Sequence, residues 1–509
     1  MSMWLTNQQT KHLQRGYTKK VESPVPTQVI SSGECYPPPQ TRQQLQVESL
    51  IQENARLYAR RQGLERHSYL RSHSGMASAF LAMNQVFGEV YDIDSVEAED
   101  QTAACERHDK TTDQFIFDVH THHVHDDYSW DGILWLRDTA RGNNLAKKVW
   151  NPDLAELELD LKYYKFDYYL KDMFFDSDTT VALLSTSPAV DPHKRLLSDD
   201  QMVATRNLVN RLSGTQRMFA HGVIWPNLPE YLEAMDRAAA ELKVDSWKGY
   251  TVGDILGEIP SFEEPWRMDD EELTYPTYEK ARSLGVPIIC VHKGVLPIEY
   301  ETIPNWHYAA VDDVGKAAQD WPDLNFHIYH AGLKMWRDAR SVSEEFERTG
   351  RLEWIDEMAA IPEKYGVSNV YADIGLSFGA LAITQPRVAS VMLAKLIKGL
   401  GADHVLWGTD SIWAGSPQWQ IEAFRRIEVP LELQERYDFE PLGPPDGPIK
   451  TAILGGNAAR QYGIELDANG CPIADYRNDE LSRLKTEYLD AGNQRDNLYW
   501  GWIQEQKAN

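Results

Sequence analysis

The chain is predicted to be an α/β protein, a (β/α)8 TIM-type barrel with additional N-terminal and C-terminal helices. Three observations carry this prediction. Short β-rich runs recur along the sequence, helix-like stretches lie between most of them, and metal-binding side-chain types stand at the ends of several runs. A doubly wound open sheet is the structural alternative, but no Gly-x-Gly-x-x-Gly follows the first run.

The first run is Phe115-Ile116-Phe117, leading into Asp118-Val119-His120-Thr121-His122. Side chains alternate along a strand, so His120 and His122 share a face. The remaining runs lie at 181–184, 218–223, 244–250, 286–292, 325–330, 369–373 and 404–410. Apolar spacing predicts helices over 228–242, 275–284, 342–358 and 388–400. Flanking these are four expected regions: an extended arm over 1–40, a helical extension over 41–112, the barrel over 113–465 and a second helical extension over 466–509. The arm is rich in Pro, Ser, Thr and Gln and contains Pro37-Pro38-Pro39. Leu45, Leu50, Ile51 and Leu57 mark the first helical stretch, residues 92–100 read as an acidic linker, and an amphipathic segment is expected from 479 to 504.

Composition narrows the classes. With 509 residues, 42% of them hydrophobic and 25% charged, the chain has the balance of a globular protein. A net charge of -26 argues against nucleic-acid or anionic-membrane partners, and no apolar stretch approaches the roughly 20 residues of a membrane span. Cys35, Cys105, Cys290 and Cys471 are too scattered for a disulfide framework, so a cytoplasmic setting is expected. Arg60-Arg61 ahead of the apolar run 76–83 has the order of a twin-arginine export signal but lies deep in the chain; it reads as a structural helix, with export as the alternative. The helices outside the barrel suggest a homodimer or higher homo-oligomer.

His120 and His122 end the first run, His292 the fifth, His330 the sixth and Asp410 the eighth, while Lys248 lies near the end of the fourth. In a parallel barrel these ends open on one face, so the six side chains point to one basin. Imidazoles and carboxylates there suit a divalent metal.

Asp118-Val119-His120-Thr121-His122, Val291-His292-Lys293-Gly294, Trp321-Pro322-Asp323-Leu324-Asn325-Phe326 leading to His330-Ala331-Gly332, Gly408-Thr409-Asp410-Ser411 and Ile453-Leu454-Gly455-Gly456-Asn457-Ala458-Ala459-Arg460 resemble the amidohydrolase superfamily over roughly residues 115–465. The branch indicated is the one that also contains aminocarboxymuconate-semialdehyde decarboxylase. The resemblance implies a metal held by His120, His122, His292 and Asp410, with His330 as acid/base or electrophile. Zn2+ is the expected ion, with Mn2+ or Fe2+ as alternatives, and one metal is favoured over two. Asp410 would also accept a proton from the attacking water. Lys248 has three readings: a carbamylated bridge between two metals, a point charge for a substrate carboxylate, or a side chain reaching solvent. His330 could instead be a satisfied core histidine.

Asp373, at the end of the seventh run, is a candidate to orient a ligand histidine or to meet substrate. Trp130, Trp135, Trp266, Trp306, Trp413 and Trp419 fall in or beside loops at the barrel mouth, where they could wall a flat substrate or simply pack against helices. His123 and His125 read as rim residues, Lys293 as outward-pointing, and His221 as ambiguous. Two reactions share this ligand set: hydrolysis of a small amide, lactone or ester by activated water, and non-oxidative decarboxylation of an aromatic or unsaturated acid. The first is the preferred expectation. A catalytically silent binding barrel is the third, and would be favoured only by loss of a ligand.

Overall fold

A computed structural model of the protein describes residues 23–27, 40–129, 161–187, 189–254, 263–296, 305–335, 339–413, 415–467 and 470–491. Most of the expected N-terminal arm, Trp130, Trp135 and the end of the expected 479–504 segment lie outside the described residues.

Eight strands, β1 (Phe117–Thr121), β2 (Val181–Leu184), β3 (Met218–Val223), β4 (Ser246–Tyr250), β5 (Ile288–His292), β6 (Asn325–Tyr329), β7 (Val370–Asp373) and β8 (Val405–Leu406), pair in parallel in chain order. The ring is completed beyond β8. Val119 N donates to Trp407 O at 2.9 Å, Asp410 N to His120 O at 2.9 Å and His122 N to Ser411 O at 2.6 Å. The expected (β/α)8 barrel is therefore present. Its strands are buried almost throughout, which is why they read as unbroken apolar or aromatic runs rather than alternating ones.

Phe117 and Val119 pack with Val181, Leu183, Phe219 and Leu406 at one end of the barrel, where Ala458, Ala459 and Tyr476 join them. Phe117 stacks on Phe219 with ring centroids 5.2 Å apart. Outside the sheet, the helix Asp199–Ser213 shows how local chemistry sets a boundary. Ser198 and Gln201 form a capping box, and Gly214 ends the helix at φ 78°.

Several boundaries differ from the sequence reading. The stretch 342–358 is two helices, Ala339–Thr349 and Ile355–Ala359, separated near Gly350 at φ 72°. β8 is only two residues long, so Asp410 lies beyond the strand rather than at its end. β6 stops at Tyr329, because His330, Ala331 and Gly332 all take left-handed φ values (61°, 51° and 70°) that no strand accommodates.

The N-terminal helices α1 (Arg42–Gln62), α2 (Arg66–Leu70), α3 (His73–Phe87), α4 (Ser95–Glu99) and α5 (Gln101–Asp109) form a layer beside the barrel. In α1 the buried stripe is Gln44, Val47, Ile51, Ala55, Tyr58 and Ala59, whereas Leu45 and Leu57 face solvent. Of the four markers, Ile51 lies on this stripe and Leu50 packs against the core, so only part of the expected face is the inner one. The expected acidic linker holds α4, started by an Asp94–Glu97 capping box. Arg60 and Arg61 close α1, and Met76 and Met83 are buried in α3. Among the described residues, no helix is long and apolar enough to cross a membrane.

Buried ion pairs join this layer to the barrel. On the helix Gln418–Arg426, Arg426 meets Glu97 at 2.9 Å, and Glu97 also meets Arg107 at 3.3 Å. Arg425 pairs with Asp178 at 2.7 Å and donates to Thr111 O at 3.0 Å. Removing one partner strands a buried charge. Arg426→Ala is expected to cost about 3 kcal/mol in denaturant unfolding. It should also speed amide exchange in α4 and α5 more than in β1–β8; uniform acceleration would contradict this placement of the pair.

Candidate metal centre

β1 carries one residue too many for its neighbour. Phe117 and Asp118 pair with Val181 and Ala182, but Thr121 pairs with Leu184, so three steps on β1 match two on β2. This is a bulge, and it re-aims the side chains that follow it. Asp118 anchors it from within. Its Oδ1 accepts from His120 N at 3.1 Å and from Thr409 N at 3.1 Å, and its other oxygen accepts from the Thr409 hydroxyl. Burial pushes the Asp118 carboxyl up to about 8, although the Thr409 and His120 donors pull against that.

Within the bulge and just after it, His120 and His122 converge with Asp410. Asp410 Oδ1 lies 3.5 Å from His120 Nε2 and 3.2 Å from His122 Nε2, and the three ligand atoms are all within 4.8 Å of one another. All three residues are buried. Atoms bound tetrahedrally at about 2.1 Å from one ion stand about 3.4 Å apart, so the spacing fits a single cation.

The tautomers point the same way. His122 Nδ1 faces the Ser185 carbonyl at 3.1 Å, which can only accept, so a neutral His122 carries its lone pair on Nε2. His120 Nδ1 is 2.9 Å from Asp373 Oδ2, which assigns its Nε2 the same role. Burial, then the charge of Lys248, hold the His120 imidazole well below its ordinary pKa and keep it neutral. Three lone-pair atoms facing one another repel unless a cation lies between them. The residues therefore fit a divalent metal.

The other expected residues stand around this trio. His292 is outside the 4.8 Å group. Its Nε2 donates to Val295 O at 2.8 Å, leaving Nδ1 with the lone pair, and its ring stacks on Tyr250 at 4.7 Å. His330 lies between the two sides, its ring 4.9 Å from His120 and 4.7 Å from His292. Lys248 is mid-strand rather than near the end of β4, and fully buried; its ammonium sits 3.4 Å from the Tyr329 ring centroid and 4.9 Å from that of Tyr250. It does not reach solvent. Asp373 touches His120 as described. Trp413 stacks on His122 at 5.5 Å and meets Tyr164 edge-on at 5.0 Å.

Several secondary readings resolve as packing. Trp266 is buried against Gly249, Trp306 stacks on Trp354 at 6.4 Å, and Trp419 is buried on its helix. His123 is a satisfied core residue between Val124 O and Thr205, whereas His125 pairs with exposed Asp127 at the rim. Lys293 turns away from the barrel axis but not to solvent: it is buried and bonded to Asp313 at 2.8 Å. The sequence reading missed Asp118 as the bulge anchor, and it missed Ser185 and Tyr329. Asp118 was legible as an acid inside an otherwise apolar strand; Ser185 acts through its carbonyl, which no side-chain pattern reveals.

Two glycines are required here by close approach. A Cβ on Gly408 would stand 2.0 Å from Asp373 Oδ1, and one on Gly375 would meet His330 Nδ1, Asp373 Oδ2 and His120 Nδ1 at 3.0, 3.1 and 3.2 Å.

The family model described as Amidohydrolase matches residues 117–464. No curated protein matches the chain. Among solved structures, 2,6-dihydroxybenzoate decarboxylase from Rhizobium is similar at 14% identity, over 69% of this chain and 99% of its own, with a TM-score of 0.38. An amidohydrolase from Burkholderia multivorans is similar at 13% identity, over 69% and 100%, with a TM-score of 0.40. Dihydroxybenzoic acid decarboxylase from a Polaromonas species, with bound manganese and the inhibitor 2-nitroresorcinol, is similar at 15% identity, over 70% and 99%, with a TM-score of 0.37.

Gly408→Ala is expected to displace Asp373 and release the His120 ring. Metal content after dialysis should fall about 10-fold or more, as for loss of an orienting partner. Retention of the wild-type metal content would show that Asp373 does not set the His120 geometry.

Proposed function

The chain belongs to the amidohydrolase family, and from that premise we propose that it is a metal-dependent hydrolase acting on a small cyclic or aromatic amide, lactone or ester. The observation that carries this reading is the convergence of His120 Nε2, His122 Nε2 and Asp410 Oδ1 within 4.8 Å in a buried site at the barrel mouth. A divalent ion there, Zn2+ or else Mn2+ or Fe2+, would supply Lewis acidity and bring the pKa of water toward ~7.

His120 and His122 present their Nε2 lone pairs, held by Asp373 and the Ser185 carbonyl. Asp410 offers Oδ1 beside them, and its carboxylate would accept the proton of the attacking water. Its backbone is left-handed at φ 58°, strain of about 1 kcal/mol that turns the carboxylate back toward β1. His330, whose ring lies beside those of His120 and His292, would polarise the scissile carbonyl or protonate the leaving group. Trp413, stacked on His122, would wall a flat substrate beside the trio. The packing of the Lys248 ammonium on Tyr329 supports one ion rather than a lysine-bridged pair.

The test combines metal analysis with turnover. Purified protein is expected to hold one equivalent of divalent metal and to lose both metal and activity in His122→Ala. His330→Ala should retain metal while kcat falls by about 10²–10⁴. The substrate panel is lactones, amides, esters and hydroxybenzoates. Carbon dioxide release from a hydroxybenzoate without any hydrolytic product would replace hydrolysis with decarboxylation.

A further inference from the structure

We propose that Tyr329 is a positioning residue for the metal ligands: its hydroxyl, oriented by a one-way chain of buried hydrogen bonds, holds the β1 bulge that turns His120 and His122 toward Asp410. This rests on the metal-site reading above but concerns residues outside the ligand set.

The hydroxyl of Tyr329, on β6, donates to the Val119 carbonyl at 2.7 Å. Val119 lies inside the register break between Asp118 and Thr121. In a regular strand with Val119 packed into the apolar cluster, His120 would point to the opposite face. Instead the His120 ring lies 4.1 Å from the Tyr329 ring. The same tyrosine therefore grips the bulge through its oxygen and backs the first histidine with its ring.

The hydroxyl is itself held. His221 Nε2 is 2.9 Å from the Tyr329 oxygen, Ser246 Oγ is 2.8 Å from His221 Nδ1, and the Tyr462 hydroxyl donates to Ser246 Oγ at 3.1 Å. The direction follows from the far end. A carbonyl only accepts, so Tyr329 must spend its proton on Val119, and His221 Nε2–H must donate to the Tyr329 oxygen. Neutral His221 then accepts at Nδ1 from the Ser246 hydroxyl, which in turn accepts from Tyr462. Burial and the charge of Lys248 keep His221 well below its ordinary pKa, the neutral form this order requires. A chain that ends on a peptide carbonyl cannot deliver a proton to the site. It acts by fixing where Val119, and with it His120, can be.

Two variants test this. Tyr329→Phe keeps the ring beside His120 and Lys248 but deletes the hydroxyl. Ser246→Ala breaks the chain at a residue remote from β1. The readouts are the affinity of metal-free protein for Zn2+, by competition with a chromophoric chelator, and the visible absorption of Co2+-loaded protein. Tyr329→Phe is expected to raise the Zn2+ Kd about 10-fold and to change the Co2+ bands. Ser246→Ala should shift both in the same direction by less, and the double variant should bind no more weakly than Tyr329→Phe alone. Wild-type Kd and Co2+ bands in Tyr329→Phe would overturn the proposal, whether or not its melting temperature falls. If Tyr329→Phe does not fold, wild-type values in Ser246→Ala overturn it and shifted values support it. If wild-type protein takes up no Zn2+ or Co2+, the metal reading itself falls and this inference with it.

Discussion

The barrel closes on β1 through the segment after β8, and that seam is what the candidate site depends on. Asp410 N donates to His120 O, and His122 N donates to Ser411 O. The bonds that complete the ring of strands are thus made by the candidate ligand residues and their neighbours. Sheet closure and ligand convergence are one event, so the carboxylate can reach the histidines only when the last strand has found the first. The left-handed backbone at Asp410 follows from this double duty: its amide serves the seam while its carboxylate faces the mouth.

Around the seam, an unusual amount of polarity is buried. His120, His122, His221, Lys248, His292, His327, His330, Asp373 and Asp410 are all inaccessible or nearly so. Such groups cost stability unless each is satisfied or kept neutral. The structure uses both routes. His120 and His221 are held neutral by burial with Lys248 close by, while Asp118 is bonded to Thr409 and to two backbone amides. The Lys248 ammonium rests on the Tyr329 ring, where the aromatic face replaces part of its lost hydration. The lysine thus lies beside the histidines without joining the His120, His122 and Asp410 group.

Rigidity comes from close approach as much as from hydrogen bonds. Gly408 lets Asp373 lie against the chain beyond β8, and Gly375 leaves just enough room for three functional atoms. Elsewhere, Arg426 ties α4 to the barrel through Glu97, and Arg425 holds the chain just after α5 through the Thr111 carbonyl. The added N-terminal helices are thereby part of the same packed body as the barrel.

The sequence by itself determined the fold class, because β-rich runs alternating with helices admit few other closed solutions, and runs such as 181–184 and 218–223 match strands to the residue. It also determined that His120, His122 and Asp410 would be neighbours, since strand order in a parallel barrel fixes where strand ends open. Only the tertiary structure decided the rest. The bulge in β1 depends on Asp118 meeting Thr409 far along the chain, and the end of β6 depends on left-handed backbone at His330, Ala331 and Gly332 that no propensity signals. Whether Lys248, Lys293 and Trp266 face substrate, solvent or core was a matter of which residues from other elements arrived beside them. Periodicity assigns a side chain to a face; what occupies that face is set by contacts between segments hundreds of residues apart.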